Sequence, residues 1–127
     1  MSSTNVFVRM GVKNKQPEYE LQKAVAKYLD LKKVLYCASV GGVRTTFRQA
    51  IKMKATGYKK GFPDIFIYEP KGSYHGLAIE LKTKKGYASK YQRDWIHKLS
   101  KRGYYACVCK GFDDTITTIN NYFSIKK

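Results

Sequence analysis

The chain has 127 residues, 43% of them hydrophobic, and its 25 Lys and Arg against 9 Asp and Glu give a formal net charge of +16. That length suits one domain able to bury a core without disulfides or metal staples. No run approaches the roughly 20 apolar residues of a membrane span and no apolar leader opens the chain, so the expected location is the cytoplasm.

So large a positive excess opposes compaction by self-repulsion and implies a polyanionic partner. Nucleic acid leads, because each neutralised phosphate releases counterions. An acidic membrane surface would call for a basic amphipathic helix with bulky apolar anchors, and no segment reads clearly as one. Cys37, Cys107 and Cys109 lack the C-x₂-C spacing of a zinc site and are expected to be buried free thiols.

In chain order, residues 1–16 read as a basic arm whose Arg9, Lys13 and Lys15 could touch a backbone, and 17–127 as the folded domain. Pro17 suits the first turn of a helix running to Leu29, with Leu21, Val25, Tyr28 and Leu29 as its inward stripe. Glu18 stands at the N-terminal end of that stripe and Gln22 a turn further on, while Glu20 points to the side. Early acids also offset the helix dipole anywhere, which is the plainer reading of both glutamates. Val34 to Ala38 reads as a strand ended by Gly41-Gly42, and Arg44 to Ala55 as a helix with Arg44, Arg48 and Lys52 spaced by four. That row is either a phosphate-facing stripe or a solvated face. A basic loop from Gly57 to Gly61, containing Lys59 and Lys60, then leads into Asp64.

Asp64–Tyr68 and Leu77–Thr83 read as two strands, and Pro70-Lys71-Gly72-Ser73 between them argues for an antiparallel pair. Alternation puts Glu80 and Lys82, and Lys84 if the strand reaches it, on one face, with Leu77, Ile79 and Leu81 on the core face. A carboxylate and an ammonium in an aliphatic strand are costly unless something uses them. Two carboxylates from adjacent strands would suit Mg²⁺ or Mn²⁺ and leave room for a phosphate oxygen. The alternative is an ordinary cross-strand salt bridge. His75 reads as a solvated turn residue. Ser89 and Gln92 form a capping box, opening a helix with Gln92, Trp95, Ile96 and Leu99 on one face, His97 beside it, and a stop at Gly103. Tyr104–Cys109 is a further strand, and about Asp113 to Tyr122 a closing helix carrying Ile116 and Ile119, with Phe123 just beyond. The element order is that of a mixed α/β domain without internal repeats.

Glu18-x-x-x-Gln22, Gly-Phe-Pro-Asp64, Glu80-Leu-Lys82 and Gly86-Tyr-Ala-Ser89-x-x-Gln92, in this order, resemble the VRR-NUC family, the virus-type replication-repair nuclease branch of the PD-(D/E)xK superfamily. The resemblance spans roughly Pro17 to Phe123. It implies a restriction-endonuclease-like (PD-(D/E)xK) core, a mixed sheet flanked by helices. It implies that Asp64 and Glu80 bind Mg²⁺ or Mn²⁺, with the carbonyl of Leu81 as a further ligand and Glu18, or else Glu20, as the helix acid. Lys82 matches the active-site lysine, with orientation and electrostatic stabilisation as its first role, and Gln92 matches the glutamine after the catalytic strand.

Small stand-alone members occur in phages and bacteria and are associated with homodimers that cut branched DNA such as four-way (Holliday) junctions. The expectation is therefore a metal-dependent, structure-selective endodeoxyribonuclease of phage or bacterial replication, recombination or repair, paired two-fold on its substrate. Arg44, Arg48, Lys52, Lys59, Lys60, Lys84, Lys85 and Lys90 are its expected DNA contacts. The competing reading is a non-catalytic basic nucleic-acid-binding module. A restriction-type nuclease has little room here for a base-reading domain.

Overall fold

The computed structural model describes residues 16–39 and 46–126. Within them lie α1 (Gln16–Leu31), β1 (Tyr36–Ala38), α2 (Phe47–Ala55), β2 (Ile65–Ile67), β3 (Leu77–Lys82), α3 (Lys90–Ser100), β4 (Tyr105–Lys110) and α4 (Phe112–Phe123). Residues 1–15 of the basic arm and Arg44 lie outside the described residues, while Gln16, expected in the arm, begins α1. The strands stand in the order β1-β2-β3-β4. β2 pairs antiparallel with β3, as expected from the Pro70–Ser73 turn, and also with β1, and β3 pairs parallel with β4. A parallel pair needs a crossover, and α3 makes it.

Local chemistry moves several expected boundaries. β1 starts at Tyr36 and not Val34, because the Val34 N–H is spent on the Leu29 carbonyl at 3.1 Å, closing the end of α1. α2 starts at Phe47 and not Arg44. Thr46 is its N-cap, with Thr46 N–H donating to Gln49 Oε1 at 2.9 Å and Gln49 N–H to Thr46 Oγ1 at 3.1 Å. That capping box is a signal the sequence reading overlooked.

Both faces of the sheet are covered. On one, Leu21, Val25 and Leu29 of α1 and Ile119 and Tyr122 of α4 pack against Ile65, Ile67, Leu77, Ile79 and Leu81. Each such side chain contributes on the order of 1.5–3 kcal/mol by leaving water. On the other, Leu99 and Trp95 of α3 meet Phe66, Ala78, Phe62 and Tyr104. The second face of β3, expected only to be polar, is therefore buried as well, with Ala78 at 0% and Glu80 at 2% exposure. Coverage stops at the edge: Cys37 is exposed, against the expectation of buried thiols, because β1 is an edge strand and α3 reaches only its neighbours. Helix α2 buries none of its residues. Among the described residues, no helix is long and apolar enough to cross a membrane.

Candidate active site

The β2/β3 register pairs Ile65 with Ile79, so one step outward Asp64 stands beside Glu80. The loop delivering Asp64 is pinned to α3. Gly61 has φ +92°, and a Cβ there would sit 2.6 Å from the backbone carbon of Tyr91, so only glycine lets the loop lie so close. Trp95 Nε1–H donates to the Lys60 carbonyl at 3.1 Å, and Lys60 Nζ lies 4.7 Å from the centre of the Tyr91 ring. Asp64 is then fixed from two sides: its Oδ2 accepts from the Leu81 N–H at 2.7 Å, and its carbonyl accepts from the Ser39 N–H at 2.8 Å.

Lys82 joins this pair to the first helix. Its Nζ is 3.5 Å from Glu80 Oε2 and 3.9 Å from Glu18 Oε1. Glu18, at the start of the stripe that buries Leu21 and Val25, is thus carried to the site by the core itself. Glu20 is exposed on the same turn. Beside Glu18 opens a cleft of about 390 Å³ lined by Pro17, Glu18, Thr83, Lys84 and Lys85.

The electrostatics are those of two acids short of positive charge. Burial pushes the Glu80 carboxyl up, and the charge and hydrogen bonding of Asp64 add to this against the opposing pull of Lys82, leaving it at about 9. Burial also raises Asp64, opposed by its hydrogen bonding with Glu80, by the Leu81 N–H and by Lys82, while Glu18 pushes weakly upward. Glu80 Oε1 is buried without a hydrogen-bond partner among the described residues. An orphaned oxygen beside a second buried acid fits a hard divalent cation, which commonly takes one or two carboxylates and completes its shell with water or phosphate. Among the described residues, no three His, Cys, Asp or Glu side chains gather closely enough to cage an ion alone.

Other expected site residues are spread more widely. Gln92 is the N3 residue of α3, where its Oε1 accepts from the Ser89 N–H at 2.7 Å and its own N–H donates to Ser89 Oγ at 3.2 Å, so the cap engages its carbonyl. Arg48, Lys52, Lys59, Lys60, Lys84, Lys85 and Lys90 are all exposed. The sequence reading missed the Leu81 N–H as the group that orients Asp64, and missed an aromatic cavity beside Ser39. A backbone donor leaves no mark in side-chain pattern, and the cavity draws on residues far apart in the chain.

A mixed sheet carrying an acid pair and a lysine on its central strands is the frame of a nuclease-type α/β domain. The chain belongs to the VRR-NUC domain family, whose model matches residues 5–113. A solved structure described as a VRR_NUC domain protein superimposes with a TM-score of 0.71 at 30% identity, covering 91% of this chain and 94% of that one. A second, described as a VRR_NUC domain, gives 0.59 at 19% identity over 84% and 97%, and shares the fold. No curated protein matches the chain. Membership makes this a nuclease-type domain and DNA its class of substrate.

Proposed function

We propose that the protein is a metal-dependent endodeoxyribonuclease selective for branched DNA, four-way junctions above all, and that it works as a homodimer. The observation that carries the catalytic part is the Asp64–Glu80 pair with its orphaned Glu80 oxygen and Lys82 within 3.5 Å. Asp64, Glu80 and the carbonyl of Leu81 would hold Mg²⁺ or Mn²⁺. When bound, such an ion supplies positive charge for the scissile phosphate and a more acidic attacking water. The chain's own groups do the rest. Glu18 and Glu80 hold the Lys82 ammonium between them, where it can donate to a phosphate oxygen as charge builds in the transition state. Lys84 and Lys85 line the adjoining cleft and suit the neighbouring backbone phosphates. Gln92 would reach the site through its amide nitrogen, the cap holding its oxygen.

Pairing is supported by α2. Phe47 is 83% exposed and Ile51, one turn on, 53% exposed, on a helix with no fully buried residue among the described residues. A basic helix with bulky apolar anchors, the feature an acidic membrane surface would use, is thus present where the sequence reading found none, and on the nuclease reading a second copy of that face would cover it. Two sites related by a two-fold axis suit a junction with two-fold symmetry.

The test is cleavage of a labelled four-way junction and of a linear duplex at matched salt, with Mg²⁺ and with EDTA. The expected result is junction cleavage in Mg²⁺ only, reduced at least about 100-fold by Lys82→Ala and abolished by Glu80→Ala. Cleavage undiminished in the Glu80→Ala protein sinks the site assignment, and equal cutting of duplex and junction sinks the selectivity. A binding module without catalysis would hold DNA indifferently to Mg²⁺ and yield no product.

A further inference from the structure

A cavity of about 480 Å³ lies on the α3 side of the sheet, lined by Ala38, Ser39, Gly57, Tyr58, Lys59, Phe62 and Trp95. Three features set it apart from a packing gap. Its wall is aromatic and rigid: Phe62 and Trp95 meet edge-to-face at 5.0 Å and 85°, and the indole N–H is tied to the Lys60 carbonyl. It holds a buried hydroxyl, Ser39 Oγ, with no hydrogen-bond partner among the described residues. And it adjoins the acid pair, since Ser39 N–H bonds the Asp64 carbonyl and Phe62 is two residues before Asp64.

From these we infer that the cavity receives one unstacked nucleobase of the DNA substrate, lying flat against the aromatic wall while the strand's next phosphates pass the acid pair. This rests on the nuclease reading and deepens it. The volume falls in the roughly 300–1,000 Å³ range of small-ligand sites. Aromatic faces bind any base by stacking, and Tyr58, Phe62 and Trp95 supply such faces here. Lys59, at the rim, meets the phosphate that travels with the base. Taking a base out of the stack is cheapest where pairing is already broken, so a base receptor next to the acids favours a branch point over uniform duplex. Selectivity for branched DNA then comes from this cavity as well as from two-fold pairing.

Trp95 is the chain's one tryptophan, so its fluorescence, excited where the 11 tyrosines do not absorb, comes from the cavity wall. The full-length protein is titrated in EDTA, where nothing is cut, with a four-way junction, a linear duplex at the same ionic strength, the junction with abasic nucleotides at the branch, and a free deoxynucleoside monophosphate. The expected result is quenching by the intact junction, little by the duplex, and an affinity about tenfold weaker for the abasic junction and for the Tyr58→Ala protein on the intact one. Equal quenching by intact and abasic junctions overturns the inference. So does quenching by the free mononucleotide as tight as that by the junction, which assigns the cavity to a small nucleotide. The two readings fail separately: a protein that cuts junctions in Mg²⁺ without base-dependent quenching loses only the base receptor, and base-dependent quenching in a protein that never cuts DNA loses only the nuclease.

Discussion

Glu80 is the residue at which stability and function pull apart. Its carboxyl is almost wholly buried, leaves one oxygen unpartnered among the described residues, and is pushed to about 9 from an ordinary 4.5 by burial and by Asp64. In metal-free protein between those values, the folded state keeps a proton that the unfolded state has released. Stability from this group is therefore complete below about 4.5 and lost as pH rises through about 9, by up to about 1.4 kcal/mol per pH unit. Asp64 is shifted in the same direction, so its contribution has the same sign. Thermal melts in EDTA from pH 5 to 9 are expected to show a falling Tm for the parent chain and a flatter profile for Glu80→Gln. Excess Mg²⁺ is expected to raise the parent's Tm at pH 8 and leave that of the variant unchanged. An unchanged slope in the variant would move the titration to another group. At this scale the sequence was legible for a physical reason: a charged pair in an aliphatic strand has few low-cost explanations, so Glu80 and Lys82 stood out. The approach of Glu18 to Lys82 was not legible in the sequence, because it depends on the register of α1 against β3, which puts Glu18 Oε1 3.9 Å from Lys82 Nζ.

Elements place these residues, and the loop before β2 does most to do so. Gly61→Ala adds a Cβ 2.6 Å from the Tyr91 backbone at φ +92°, where neither chain can yield without moving Asp64. A loss of about 1–3 kcal/mol in chemical denaturation is expected, with a fall in nuclease activity larger than the stability loss explains. Ser89→Ala is milder, removing one cap bond to Gln92 for about 1 kcal/mol. If the α2 face pairs, Phe47→Glu with Ile51→Glu leaves the monomer's melting nearly unchanged, as both side chains are exposed, and moves the sedimenting species from dimer to monomer. A monomer for the parent chain at working concentrations would remove the pairing proposal. Element types were readable from periodicity and caps, including the capping box of α3. The edges of β1 and α2 were not, since the first depends on a helix-closing bond to Val34 and the second on a Thr46 cap hidden among basic residues.

For the whole molecule, the net charge of +16 predicts DNA binding dominated by counterion release, and the cleft beside Glu18 is the place proposed for that charge to act. Lys84 and Lys85 line the cleft beside Glu18, next to the acids. Lys101 and Arg102 follow the far end of α3, an 11-residue helix that sets them roughly 16 Å from its first turn at a rise of about 1.5 Å per residue. If the backbone runs through the cleft, Lys84→Ala with Lys85→Ala lowers junction affinity and reduces the slope of log K against log [salt] by about 0.9 for each phosphate no longer neutralised, so by up to about 1.8. Lys101→Ala with Arg102→Ala removes the same formal charge and is expected to leave the slope nearly unchanged. Binding isotherms in EDTA between about 50 and 200 mM salt measure both. Equal slopes for the two double variants would mean that the overall excess of charge, and not its placement at the cleft, holds the DNA.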